Sequence, residues 1–296
     1  MAKPVVFVIG ATGSIGVSTL TALSQRYGKE VKILAGVRNP DKADKLRALD
    51  DVTIVKAEIG DPNLKETLAG VDSLYIVVPG AENRTELTRT TAEAAKAAGV
   101  KFILSVSVTS ADRPELTFGK QFSGLESHIK SLGVQYAFLR LPLFYENNLA
   151  HQASIAGQSA FYGPVEADKP FTPVSASDAG VAAAVILRHP AKHHGKTYTL
   201  ASDRHTKLDI AAAFSSSLGK EVKYVQVAYD QAKQAFMTNG VPEWQTDGIM
   251  ELYHLIDASD PVLNLGDLSD FEKITGEKPT SIAQWVAGAA DIFKST

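Results

Sequence analysis

Three glycines in the run VVFVIGATGSIG carry the clearest chemical signal in this sequence of 296 residues. Gly10, Gly13 and Gly16 follow a short β-branched run and open an amphipathic stretch, the strand–turn–helix context in which such glycines have a physical use. One position without Cβ permits a tight turn, another lets an anion approach the backbone, and the helix start offers N–H groups and a positive dipole end. Gly10, Ala11, Thr12, Gly13, Ser14 and Ile15 are therefore expected to hold a pyrophosphate, although the spacing GxxGxxG differs from the GxGxxG of long-helix dehydrogenases. The next apolar run ends in AGVRNP, where Arg38 stands in place of an Asp or Glu. A carboxylate at that tip would grip a ribose 2′-hydroxyl, whereas a guanidinium suits a 2′-phosphate and can stack on adenine. The spacing thus points to NADP(H) rather than NAD(H). Asp61, in EIGDP, has two uses open to it, accepting from an adenine amino group or capping the helix after Pro62.

These residues need a scaffold, and the chain supplies one by repetition. VVFVI, VKILAGV, VTIVKA, SLYIVV, KFILSV and QYAFLR are near-continuous apolar runs separated by amphipathic stretches. Such runs read as strands of a parallel sheet covered by helices on both faces. Helices are expected over residues 14–27, 41–48, 64–69, 84–98 and 120–131, with Gly28, Gly70, Gly99 and Gly133 as their stops. The fourth strand ends near Pro79 and the fifth at Ser105–Val106, which places both beside a bound dinucleotide, since open α/β sheets bind ligands at the carboxyl ends of their strands. After Pro142 the rhythm changes. Aromatic and polar residues crowd the stretch up to Val174, a helix returns to the sheet at 178–187, and from Gly195 a strand (TYTLA), a helix (209–218), a strand (VKYVQV) and mostly helical material follow. The expected organisation is an α/β Rossmann-type domain over residues 1–150, with helix 176–190 packing on it. Residues 151–296 form a smaller, mostly helical lobe for substrate or partner.

Composition removes several functions. There are no cysteines, which excludes disulfides, thiolate metal sites and thiol catalysis. A net charge of −3 and basic clusters interrupted by acids argue against a nucleic-acid surface. PVVFVI is too short for a signal-peptide core, and VAAAVIL is far short of the roughly 20 residues that cross a bilayer. The expectation is a soluble, cytoplasmic protein without membrane or nucleic-acid partners. His193 and His194 have no suitably spaced acid or third histidine, so no metal is expected.

The sequence resembles the NmrA-like branch of the atypical short-chain dehydrogenases/reductases. The likeness rests on GATGSIG, Arg38, LRLPLFYENNL (139–149), FTPVSASDAGVAAAVIL (171–187), GKTYTLAS (195–202) and DFEKITGEKPTSIAQWV (270–286), in that order along nearly the whole chain. The resemblance implies NADP(H) binding and one of two activities. One is reduction of quinones, dyes and other conjugated electrophiles; the other is redox sensing, in which the dinucleotide and a protein partner bind without turnover. Related enzymes carry a catalytic Tyr, a Lys four residues later and an acidic residue eight after the Tyr. With Glu126 as that acid, Phe118 stands for the Tyr and Phe122 for the Lys.

Phenylalanine can neither donate a proton nor lower a neighbour's pKa, so alcohol–carbonyl interconversion by that route is not expected. Lys120 lies on another helix face and cannot replace the missing lysine, but could reach the ribose or a phosphate. Hydride transfer to an acceptor that delocalises charge needs no protein acid, only alignment and exclusion of water. Phe118, Phe122, Phe144, Tyr145, Phe161 and Tyr162 would suit as walls, with Trp244 contributing from a loop and Pro142 and Phe144 flanking the cofactor. Tyr145 and His151 are the candidate proton donors. The favoured expectation is an NADPH-dependent reductase acting on a small-molecule hydride acceptor.

Overall fold

The computed structural model describes residues 2–294. The chain divides into two compact units, the first comprising Met1–Leu141, Ala176–Thr199 and Glu272–Gly276 and the second the remainder. In chain order the regular elements begin with β1 (Val5–Ile9), α1 (Ser14–Tyr27), β2 (Lys32–Val37), α2 (Asp44–Arg47), β3 (Val52–Lys56) and α3 (Leu64–Thr67). Then come β4 (Ser73–Ile76), α4 (Arg84–Ala97), β5 (Phe102–Val108), α5 (Thr117–Ser131) and β6 (Gln135–Leu141). After an excursion through α6 (Gln152–Gln158) and β7 (Ala160–Gly163), α7 (Ala176–Arg188) and β8 (Lys196–Thr199) return to the first unit.

The first unit is an α/β fold whose seven-stranded sheet has the order β3-β2-β1-β4-β5-β6-β8, all neighbours parallel. Strand β1 is apolar along its length and every residue of β4 is buried, because both sheet faces are covered, as parallel sheets require. Phe7, Ile9, Leu74, Ile103, Phe122 and Phe138 belong to one buried cluster in this unit. Helix α7 lies so close to α1 that a Cβ on Gly180 would fall 2.5 Å from the Ser18 carbonyl carbon.

Several expectations change at the edges of these elements. The helix expected over 41–48 splits into a 3₁₀ turn, Pro40–Lys42, and α2, because Asn39 Oδ1 accepts from Asp41 N at 3.0 Å and starts a separate turn. Gly28 ends α1 with φ −56°, so it serves by its lack of bulk rather than by a left-handed conformation: a Cβ there would strike the Asp51 carboxylate. Strand β8, expected in the later lobe, is instead the seventh strand of the sheet, delivered there by the α7 crossover and paired to β6.

The second unit holds α6, β7, α8 (Lys207–Leu218), β9 (Lys223–Gln226), α9 (Tyr229–Thr238), α10 (Glu243–Asp257) and α12 (Ile282–Ala289); α11 (Asp270–Thr275) straddles the division. Strands β7 and β9 pair in parallel. Helices α8 and α12 start at capping boxes, Thr206 with Asp209 and Ser281 with Gln284, each satisfying two otherwise orphaned backbone donors. Tyr145, Phe161, Phe171, Phe214, Val286 and Phe293 are among the residues of this unit's own core. Among the described residues no helix is long and apolar enough to cross a membrane.

Candidate functional site

In the first unit the glycine loop lies between β1 and α1, and its three glycines are required for different reasons. Gly10 has φ +79°, and a Cβ there would sit 2.6 Å from the Val77 carbonyl oxygen. A Cβ on Gly16 would lie 2.6 Å from the Gly10 oxygen, so the helix can pack on its own turn only without a side chain. Gly13 has an ordinary extended conformation, φ −73° and ψ 163°, and a Cβ on it would meet nothing closer than Gly10 O at 3.7 Å. Neither backbone strain nor packing within the protein asks for glycine at 13. The open face there is what a pyrophosphate approaching the start of α1 needs. That helix start has no side-chain cap and no acid in its first turn, so nothing of the protein competes for an anion. The cradle therefore fits the phosphate part of a dinucleotide.

Arg38 follows β2 directly. Its side chain is 81% exposed and its Nη1 is 3.7 Å from Glu58 Oε1, itself 56% exposed. Asp61 serves a local turn: Oδ1 accepts from Asn63 N at 2.8 Å and from Asn63 Nδ2 at 3.2 Å. Pro79 is half-buried just beyond β4, and Lys120 is exposed on α5. The expectation that β5 ends at Ser105–Val106 is corrected. The strand runs on to Val108, pairing with β6 as far as Leu141, which leaves Ser105 in mid-strand, fully buried, with its Oγ donating to the Val106 carbonyl at 3.1 Å.

Helix α5 brings Phe118, Phe122 and Glu126 onto the first unit. Phe122 is 3% exposed and belongs to the apolar cluster against which Phe118 packs. The guanidinium of Arg84 stands 5.5 Å from the Phe118 ring centre and 5.4 Å from that of Phe122. Burial pushes the Arg84 pKa down to about 10. Phe122, expected to wall a substrate site, thus spends its surface on the core and on a buried cation. Glu126, also 3% exposed, accepts from Ser107 Oγ at 2.6 Å and from Arg140 Nε and Nη2 at 2.9 Å each. It is a tie between α5 and strands β5 and β6.

The second unit contains a cavity of about 830 Å³. Phe144, Tyr145, Tyr162, Phe171, Phe236 and Tyr253 supply its aromatic wall, and His151, His205 and Lys207 its basic side chains. Of the aromatic residues singled out in the sequence, Phe144, Tyr145 and Tyr162 meet here. Phe161 is buried behind, its ring 5.7 Å from that of His151, and Trp244, in the first turn of α10, is not on the lining. Pro142, the first residue of this unit, is buried and also off the lining.

The two candidate proton donors are both poorly suited to that role. The Tyr145 hydroxyl donates to Asp203, and burial followed by that carboxylate holds its pKa above the ordinary tyrosine value. Burial, then the charge of Lys207, lowers His151 to about 4, so the imidazole is neutral at neutral pH. Asp203 also receives His205 Nδ1 at 3.2 Å. Burial raises the Asp203 pKa, but the bonds from His205 and Tyr145 outweigh it and hold the carboxyl below its usual range. His205 stacks on Tyr145 with ring centres 5.5 Å apart. Asp203, His205 and Lys207 escape a search for motifs, although the capping-box spacing of Thr206 and Asp209 marks the helix start that positions them. Among the described residues no cluster of three or more histidines and carboxylates could hold a metal.

A parallel sheet whose first strand turns through a glycine cradle into a helix defines the Rossmann class of α/β proteins. The chain belongs to the NmrA-like family, whose model matches residues 2–285. It is 29% identical over 291 residues to an NAD(P)H azoreductase of Xenophilus azovorans, covering 97% of this chain and 99% of that protein. It is 31% identical over 287 residues to quinone oxidoreductase 2 of Escherichia coli K12, covering 95% and 96%. The crystal structure of the E. coli NADPH-dependent quinone oxidoreductase QOR2 in complex with NADPH superposes with a TM-score of 0.81 at 30% identity, over 96% of this chain and 99% of that one. The chain thus has NAD(P)H-dependent oxidoreductases among its homologues over nearly its full length.

Proposed function

We propose that the protein is an NADPH-dependent reductase of conjugated electrophiles such as quinones or dyes, working by direct hydride transfer without a Tyr/Lys pair. The observation that carries this reading is the aromatic cavity of the second unit. Its wall is built from Phe144, Tyr162, Phe171 and other rings, a surface suited to a planar acceptor and to excluding water. The similarity to azo- and quinone reductases over nearly the whole chain supports the same class of acceptor.

When bound, the dinucleotide would supply the hydride. The Gly10–Ile15 backbone would hold its pyrophosphate and Arg38 its 2′-phosphate, with Asp61, Pro79 and Lys120 flanking the remainder. Phe118 and Phe122 offer no acid or base, so the acceptor itself must delocalise the incoming charge. With the Tyr145 hydroxyl committed to Asp203, the cavity wall binds and orients rather than protonates.

The test follows NADPH oxidation by the absorbance of the reduced cofactor against quinones, azo and triphenylmethane dyes, enones and simple aldehydes. Turnover with the conjugated acceptors and none with the aldehydes is expected. NADPH binding without oxidation by any acceptor would overturn the reductase reading in favour of a redox sensor.

A further inference from the structure

We propose that Lys207 makes the second unit's cavity selective for acceptors that carry an acidic oxygen, a carboxylate, sulfonate or phenolate, on the conjugated ring. This inference rests on the reductase reading above and adds the substrate class.

Lys207 is the first residue of α8 and lines the cavity. Its ammonium lies 4.8 Å from the centre of the Phe171 ring. Among the described residues no carboxylate forms an ion pair with it. Glu146 is the one carboxylate on the lining, and its Oε1 accepts from Trp285 Nε1 at 3.2 Å. A ring face attracts a cation through its quadrupole but neutralises no charge, so it compensates a half-buried ammonium less well than an anion does. The position at a helix start adds to the imbalance, because the dipole there favours negative charge.

Burial lowers the Lys207 pKa to about 8, which still leaves the cation dominant at neutral pH. His151 feels the lysine's charge. His205, 4% exposed, gives Nδ1 to Asp203, and its Nε2 is buried with no hydrogen-bond partner. Aromatic walls with an uncompensated cation match a planar ring bearing an anionic oxygen. A cationic dye would place its charge against Lys207.

The experiment compares 1,2-naphthoquinone with 1,2-naphthoquinone-4-sulfonate in wild type, Lys207→Met and Lys207→Arg. Each acceptor's intrinsic reactivity cancels when the sulfonate-to-parent ratio of kcat/KM is compared between proteins. The ratio should fall roughly tenfold or more in Lys207→Met, the size of a lost charged hydrogen bond, mainly through KM, and be largely kept in Lys207→Arg. A ratio unchanged in Lys207→Met overturns the inference while leaving the reductase reading intact; no oxidation of NADPH by either quinone in wild type overturns the reading instead. A second arm needs neither turnover nor a variant. Naphthalene-2-sulfonate should protect the wild type against thermal unfolding more than 2-naphthalenemethanol does, and equal protection by the two counts against the inference.

Discussion

Arg140 and Glu126 face each other through two 2.9 Å hydrogen bonds, with the carboxylate 3% exposed and the guanidinium also reaching Asp112. The pair fixes α5 on the sheet, and it is one-sided in its vulnerability. Removing the arginine leaves a buried charge with only Ser107 and the more distant Lys130, a loss typically of about 3–5 kcal/mol. Arg140→Met should therefore lower the urea midpoint sharply, while Arg140→Met with Glu126→Leu should recover much of the loss.

The same pair sets an acid limit on stability. Burial raises the Glu126 pKa, but bonds from Arg140 and Ser107 outweigh it, so the folded value lies below the unfolded one. A depressed carboxylate stabilises the fold fully above its unfolded pKa, and that contribution is lost as pH falls through the folded value. Wild type should weaken progressively on acidification below about pH 4.5, the unfolded range for Glu. Glu126→Gln should show a shallower decline in urea titrations across the same pH interval, and an identical slope would remove Glu126 from the account.

Phe122 and Arg84 give a different prediction. Converting Phe118 to Tyr and Phe122 to Lys gives the residue types of a Tyr/Lys enzyme, but the new ammonium would enter an apolar cluster in place of a ring whose centre stands 5.4 Å from an existing guanidinium. Desolvation and like-charge repulsion should together cost about 3 kcal/mol or more. The double variant should lose stability in thermal unfolding and gain no efficient alcohol oxidation. Alcohol turnover comparable with the parent's best reductase rate would show that only two side chains were missing.

Strand β1, α1 and the glycine loop are legible in sequence because a fully buried parallel strand and a turn without Cβ each leave a local mark. Phe144, Tyr145 and Tyr162 also meet as their crowding suggests. Phe122 is buried in the apolar cluster of the first unit. Its type is compatible with either a substrate wall or a core, and only the placement of α5 and Arg84 decides. Ser105 was misplaced for a related reason, since strand ends depend on pairing partners, here β6, and not on the apolar run alone. Lys207 was invisible because a half-buried lysine facing rings reads in sequence like any lysine at the start of a surface helix.

Gly13 and Gly16 separate binding from folding. Gly13→Val adds a side chain that meets nothing of the protein closer than 3.7 Å at Cβ, so apo stability should change by no more than about 1 kcal/mol, the scale of an altered N-cap. Protection by NADPH in thermal unfolding should disappear. Gly16→Ala should do the reverse in order of severity, destabilising the apo protein first, because its Cβ would sit 2.6 Å from the Gly10 oxygen. Undiminished NADPH protection in Gly13→Val would mean that the cradle is only structural.

Arg38 and Glu58 offer a test of the cofactor preference. Their contact is 3.7 Å long between groups 81% and 56% exposed, a geometry worth about 0–1 kcal/mol at most. A 2′-phosphate offers more, roughly 1.5–3 kcal/mol for a charge-assisted contact, or about 10- to 150-fold in affinity. The phosphate should therefore win the guanidinium from Glu58. Arg38→Ala should weaken NADPH by that factor and leave NADH nearly unchanged. Glu58→Gln should act in the opposite direction, since it frees the arginine and removes a negative charge near the phosphate. NADPH should then tighten by up to about fivefold, the equivalent of 1 kcal/mol, with little effect on NADH. Dissociation constants for both cofactors in all three proteins, at one ionic strength because such contacts are screened, test the two effects together. If the NADPH/NADH preference survives Arg38→Ala, or if the wild type prefers NADH, Arg38 is a surface residue and selectivity for the phosphate lies elsewhere.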